Sequence, residues 1–354
     1  MKRKFKIFIL LLPVLLCAYI GIQMLVPAYT ESRDIEVQIS EGATYKQAVN
    51  ILAENNLIRD RNLFIILGRI TGVDRKVRAG YYLFWSRISP WDVFLLIKRG
   101  KIIEYEVTVV EGDSLDEIGK KLSSSRIMSL DKFNSLVKDE DYIDSLEVKA
   151  PSLEGYLFPK TYKFPKGSSP GTVLKFMVQK LREAYTDKLI ERAKEIQWSE
   201  KEVLTLASII EKEAIIDNER ALISAVYHNR IKLGMPLQAD PTAIYGVKSY
   251  SRKIKKSDLK KKTPYNTYVI RGLPPGPIAS PGIKSIVAAL YPADVQYIYF
   301  VSKRNGTHIF SKTLSEHNSA IARIKAMHEE KEEVASDDEI AQIKKANLKD
   351  KKVN

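Results

Sequence analysis

The chain has one cysteine among its 354 residues, Cys17, so no intramolecular disulfide can staple it. Its four histidines, His228, His308, His317 and His328, form no HExxH or similar ligand spacing and read as scattered surface residues. No metal and no cofactor are expected. The GxSxG spacing at 167–171 falls on Ser169-Pro170, which reads as a helix cap, and no phosphate-binding glycine loop is present, which removes the signature of nucleotide chemistry. No RNA-binding or helix-turn-helix pattern is present, so nucleic acid is not expected as a partner. What remains is carboxylate chemistry, and glycosidic bonds are cut by Asp and Glu, one of them protonating the leaving oxygen.

The length allows two or three domains, and 45% hydrophobic with 28% charged residues is ordinary for globular protein. The net charge of +14 favours an anionic partner. A dense basic cluster spans Lys253 to Lys262, and its plainer reading is a solvated loop. At the N-terminus, Lys2, Arg3, Lys4 and Lys6 precede an almost uncharged run over 7–29. About 20 apolar residues span a bilayer, and the basic flank predicts an uncleaved single-pass anchor with its N-terminus inside. Leu16 is too large for a lipoprotein cleavage site, so Cys17 is expected within the membrane. The expected order is a tail over 1–6, an anchor over 7–29, a repeat module over 34–138, a second domain over 150–325 and a charged, disordered tail over 330–354. The catalytic bulk is then outside the cytoplasmic membrane.

The module repeats itself. Val37, Ile39, Glu41, Gly42, Thr44 and Leu52 recur seventy positions on as Val107, Val109, Glu111, Gly112, Ser114 and Leu122, and Phe64 is matched by Phe133 after a one-residue slip. Each copy reads as a strand, a Glu-Gly turn and a helix capped by Thr44 with Gln47 or Ser114 with Glu117. The fold class is α+β: small strand-and-helix copies, then a mixed helical and loop-rich domain with a small sheet.

In the second domain LEGYLFP (153–159) reads either as a core plug or as an aromatic sugar subsite. The stretch LASIIEKEA (206–214) follows a capping box, Ser199 with Glu202, so a helix starts near Glu200. At about 100° per residue, Val203, Ala207, Ile210 and Ala214 centre the buried stripe, with Lys201, Thr205, Ser208 and Lys212 opposite. Glu211 and Glu213 take its two shoulders. A carboxylate there loses hydration, which raises its pKa and suits it to donate a proton; the plainer reading is a rim residue with its head in water. Helical phase does not choose between them. Asp217 is expected to cap the next helix, which stops at Gly234. QADPTAIYG (238–246), YNTY (265–268) and GLPPGPIASPG (272–282) are too rich in Pro and Gly for regular structure and carry groups able to bond hydroxyls and amides. A hairpin about Asn305-Gly306 and a helix from near Ser315 close the domain.

LASIIEKEA, QADPTAIYG, YNTY with GLPPGPIASPG, and HIFSKTLSEHN (308–318), together with LEGYLFP, resemble the signature blocks of the MltG (YceG-like) family of endolytic murein transglycosylases. The anchor, a LysM-like N-terminal module and the block order agree, over roughly residues 5–325. Lys160 and Ser280 depart from the pattern, where an acidic residue and Asn or Thr are more usual. The resemblance implies that Glu211 is the catalytic acid/base. It also implies cleavage of the MurNAc-β-1,4-GlcNAc bond within peptidoglycan glycan strands, by attack of the 6-hydroxyl of the same MurNAc, leaving 1,6-anhydro ends. Partnership with penicillin-binding proteins is implied in the same way. Glu213 is then a supporting residue, with Glu154, Asn229, Gln238, Asp240, Tyr265 and Asn266 as candidate substrate contacts. Two alternatives stand: a hydrolytic muramidase with Asp240 as its second carboxylate, and a non-enzymatic wall-binding or divisome adaptor.

Overall fold

The computed structural model describes residues 2–247 and 254–327, with side chains from Leu11 onward. The side chains of the expected 1–6 tail, Lys253, His328 and the 330–354 tail lie outside the described residues. The architecture is α+β, with helices around two-stranded sheets. The chain forms two compact units. One holds residues 1–107, 122–129 and 161–173; the other holds 108–121, 130–160 and 174–354.

In the first unit, α1 (Lys2–Leu25) is followed by β1 (Ile35–Ile39), α2 (Tyr45–Glu54) and α3 (Arg61–Thr71). Among the described residues no helix is long and apolar enough to cross a membrane. Cys17 is exposed on α1. β2 (Gly80–Phe84) pairs antiparallel with β1, Val37 opposite Tyr82, and α4 (Pro90–Arg99) starts with Pro90 in its first turn behind the Ser89 cap. Val37, Ile39, Leu52, Tyr82, Phe84 and Phe94 fill the core. The hydrophobic alternation of β1 is what puts Val37 and Ile39 on one face.

The two stretches matched in sequence share local features. β3 (Glu104–Val109), which pairs with β4 (Lys160–Pro165), buries Val107 and Val109 as β1 buries Val37 and Ile39. The Thr44–Gln47 capping box starts α2. Before α5 (Leu115–Ser124), Glu117 likewise reaches back to the Ser114 N–H at 2.8 Å. Both helices close alike: Leu57 N–H donates to Leu52 O at 2.9 Å and Ile127 N–H to Leu122 O at 3.0 Å. Asn56 and Arg126 supply the left-handed residue, at φ 55° and 58°. Residues 108–121 and 130–160 pack with the second unit. Backbone bonds from Gly112 and Asp113 to Ser280 account for that assignment of the second turn.

The second unit continues through α6 (Leu130–Leu136), α7 (Glu140–Ser145), α8 (Pro170–Ala184) and α9 (Asp187–Glu195) to α10 (Glu200–Glu213). The Ser199–Glu202 capping box is present and α10 starts at the expected residue. Its polar face is not exposed. Thr205 and Ser208 are buried with the apolar stripe. Their hydroxyls bond back to Lys201 O and Thr205 O, and Ser208 also accepts the Ile278 N–H at 3.0 Å. Residues 203–210 are therefore buried on every face, Ser208 against the 272–282 loop. A single 3-10 turn, Asp217–Glu219, leads into α11 (Arg220–Lys232). Within 238–246 a short helix, α12 (Asp240–Ile244), forms despite the proline, because Pro241 stands in its first turn where no N–H is needed. α13 (Ile283–Leu290) follows Gly282. Then β5 (Tyr299–Ser302) and β6 (His308–Ser311) pair antiparallel about the Asn305-Gly306 turn, and residues 314–327 are helical.

Candidate active site

Glu211 lies in the last turn of α10, where α11 and α13 begin. Its side chain is 5% exposed. One oxygen, Oε1, accepts from Arg220 Nη1 at 2.9 Å, and Oε2 accepts the Gly282 N–H at 2.8 Å. Arg220 opens α11 and Gly282 caps α13, so the carboxylate faces two helix N-termini whose dipoles favour an anion. Arg220 is braced by Ser285 Oγ and by Asp217, which also pairs with Lys284. Asp217 thus serves these cations rather than capping α11 with its side chain, since the helix starts only after the intervening 3-10 turn. Beside Arg220 opens a cleft of about 350 Å³ whose walls include Ile283, Val287 and Tyr291.

The two glutamates of the EKE triplet have opposite surroundings. Glu211 is held by a cation and an amide. Glu213 accepts from Tyr227 Oη at 3.4 Å, and burial, helped by the nearby charge of Asp240, pushes its carboxyl up to about 8. Glu213 therefore shows the raised carboxyl expected of a dehydrated shoulder. Lys212 between them donates to Gly112 O at 3.2 Å; burial holds its ammonium below the usual lysine range, against the pull of Glu117, Asp113, Glu211 and Glu154.

The second Glu-Gly turn borders this site. Gly112 N–H donates to Ser280 O at 2.9 Å and Ser280 N–H to Asp113 O at 2.8 Å. The Asp113 carboxylate accepts the Val110 N–H and pairs with Lys121. The turn is fixed on both sides, and its Glu111 lies over the bare Cα of Gly282. Ser280, one of the two departures from the expected block pattern, is fully buried, and its hydroxyl has no protein partner among the described residues.

The remaining candidates divide by what holds them. Glu154 is 3% exposed; it accepts the Leu115 N–H and Tyr245 Oη at 2.9 Å, and burial pushes it up to about 7. With Leu153, Tyr156 and Leu157 equally buried, 153–159 plugs the core. Tyr265 packs on Tyr245 with ring centroids 4.6 Å apart. Asn266 is fully buried and its amide donates to Leu259 O and Lys261 O, shaping its own loop. Asn229 donates to Val295 O and Tyr297 O, tying α11 to the approach of β5. Gln238 and Asp240 are exposed; the first accepts from Arg230, the second from Tyr268 Oη. Thr242 and Thr267, hydroxyl to hydroxyl at 2.7 Å, join 238–246 to 265–268. Arg220, Gly282 and Glu111 border Glu211 and escaped sequence reasoning. The only signal for Glu111 was its place in the repeat, where it reads as turn chemistry.

A model of the YceG-like family matches residues 37–323. A Bacillus subtilis (strain 168) protein named endolytic murein transglycosylase is 32% identical over 319 residues, covering 85% of this chain and 88% of that protein. A Streptococcus pneumoniae (serotype 2, strain D39) protein of the same name is 25% identical over 81% of this chain, which spans 58% of that longer relative. Among solved structures, a YceG-like protein from Listeria monocytogenes matches with a TM-score of 0.57 at 30% identity, over 82% of this chain and 99% of that one. The chain belongs to the YceG-like family.

Proposed function

We propose that the protein is an endolytic murein transglycosylase, a lyase that cuts the MurNAc-β-1,4-GlcNAc bond inside peptidoglycan strands and leaves 1,6-anhydroMurNAc ends, with Glu211 as the acid/base at its centre. The observation that carries the reading is the mounting of Glu211: a nearly buried carboxylate fixed by Arg220 and the Gly282 amide, with Arg220 itself on the wall of a cleft that Tyr291 also lines. Carbohydrate C–H faces pack on such aromatic surfaces, and a fixed carboxylate is what proton transfer to and from sugar oxygens requires. The names of the Bacillus and pneumococcal relatives support the same substrate.

The finer parts of the reading rest on the sequence. The 7–29 run anchors the chain in the cytoplasmic membrane with the second unit outside, acting on nascent strands beside penicillin-binding proteins or other wall synthases. Leu11, Leu12, Val14, Leu15, Leu16 and Ile22 are exposed along α1, a face that lipid accommodates better than water. The two strand-turn-helix copies form a LysM-like module. Digestion of purified glycan strands by the full chain in detergent, wild type beside Glu211→Gln, tests the activity by mass spectrometry. Anhydro-ended fragments, one water lighter than hydrolytic products and absent with the variant, are expected. Reducing-end fragments would make the protein a muramidase, and no fragments from folded protein would favour a wall-binding adaptor.

A further inference from the structure

Gly282 adopts an ordinary φ of −76°, so what the position demands is space. A Cβ there would lie 2.7 Å from Glu111 Cγ, 3.3 Å from Glu211 Oε2 and 3.5 Å from Glu111 Oε1. Two carboxylates from distant parts of the sequence therefore converge on one bare Cα. Enzymes that cut glycosidic bonds with a carboxylate pair hold the two groups roughly 5–9.5 Å apart, and two oxygens each within reach of one point lie inside that limit. Glu111 is also mounted for a defined position, because its turn is tied to Ser280 through Gly112 and Asp113 and to Lys212 through Gly112 O.

We propose that Glu111 is a second catalytic carboxylate that shares the proton transfers with Glu211; this rests on the transglycosylase reading. Both oxygens of Glu211 already accept hydrogen bonds, the arrangement of a carboxylate positioned to take a proton. Glu111 is exposed and makes no hydrogen bond or ion pair among the described residues, so its oxygens are open to an arriving sugar. The C1–O4 bond breaks with its electron pair on the leaving oxygen, which takes the proton of Glu111. The C1–O6 bond forms, and the proton of the 6-hydroxyl goes to Glu211. Return of one proton from Glu211 to Glu111 restores the starting state, with no water consumed.

The test uses the full chain in detergent on purified glycan strands and compares wild type, Glu111→Gln, Glu111→Asp and Glu41→Gln, each first checked for an unchanged thermal unfolding curve. Glu111→Gln is expected to lower kcat about 100-fold or more, with KM within about twofold, and to remove one limb of the kcat–pH profile. Glu111→Asp is expected to recover part of the rate, and Glu41→Gln to match wild type. An unchanged kcat and pH profile in Glu111→Gln, or a raised KM with kcat intact, would overturn the proposal while leaving the transglycosylase reading standing. Absence of anhydro products from wild type would overturn both.

Discussion

Glu41-Gly42 and Glu111-Gly112 are the same turn in sequence, each joining a short strand to a capped helix, yet they sit in different surroundings. A Cβ added at Gly42 meets nothing within 4 Å, and the turn borders an open cleft of about 380 Å³ with Gln47 and Asn50. At Gly112 the space is bounded by Lys212 at 3.4 Å, and the backbone is tied to Ser280. Both glycines have positive φ, 76° and 81°, which explains why both copies keep Gly. Local code thus makes the same turn twice, and what packs on it decides whether its glutamate can take part in chemistry.

The largest way to break the contrast is Gly282→Ala. A methyl group there displaces Glu111 and crowds Glu211, so kcat is expected to fall at least about 100-fold, while thermal unfolding moves little; steady-state turnover with a melting curve checks both. Next is pH. Burial raises Glu154 to about 7 and Glu213 to about 8, so between the unfolded carboxylate range and those values the folded protein binds more protons than the unfolded chain. The stability from keeping these groups neutral is fully present below pH 4 and lost as pH rises to 8. The second unit should lose several kcal/mol across that window, the larger part from Glu213, and Glu213→Gln should remove that larger part of the slope in urea titrations at pH 5 and 8.

Smaller effects distinguish the turns themselves. Gly42→Ala and Gly112→Ala each force a Cβ into the left-handed region at about 1–2 kcal/mol, measured by urea unfolding, but only Gly112→Ala should reduce turnover. Smallest, Thr44→Ala should lower stability by about 1 kcal/mol through its lost cap, with kcat unchanged.

What was legible follows from how local each signal is. The Ser199–Glu202 box set the start of α10 because capping involves four consecutive residues, and the repeat was visible because its strand, turn and caps recur in order. The burial of Thr205 and Ser208 was not legible, since it depends on a loop some seventy residues later covering them. Nor was the pairing of Glu211 with Arg220, or the approach of Glu111: neither shares a helical face or a local turn with Glu211. For the same reason Asn229 and Asn266 read as ligand-binding amides, although the backbone carbonyls they satisfy are settled only by the tertiary fold.

Lys212, whose ammonium feels Glu117, Asp113, Glu211 and Glu154, has a consequence for long-range forces. The chain as a whole carries +14, a field that draws polyanionic material from a distance and weakens with added salt. Near Lys212 the carboxylates Asp113 and Glu211 are paired with Lys121 and Arg220, so the far field is largely cancelled there, and it is Glu111 and Glu211 that converge at Gly282. An anomeric carbon that becomes electron-poor as its bond breaks is stabilised by such a neighbourhood. Attraction and reaction thus draw on opposite signs of charge, so raising ionic strength should slow capture of strands much more than it slows their cleavage once bound.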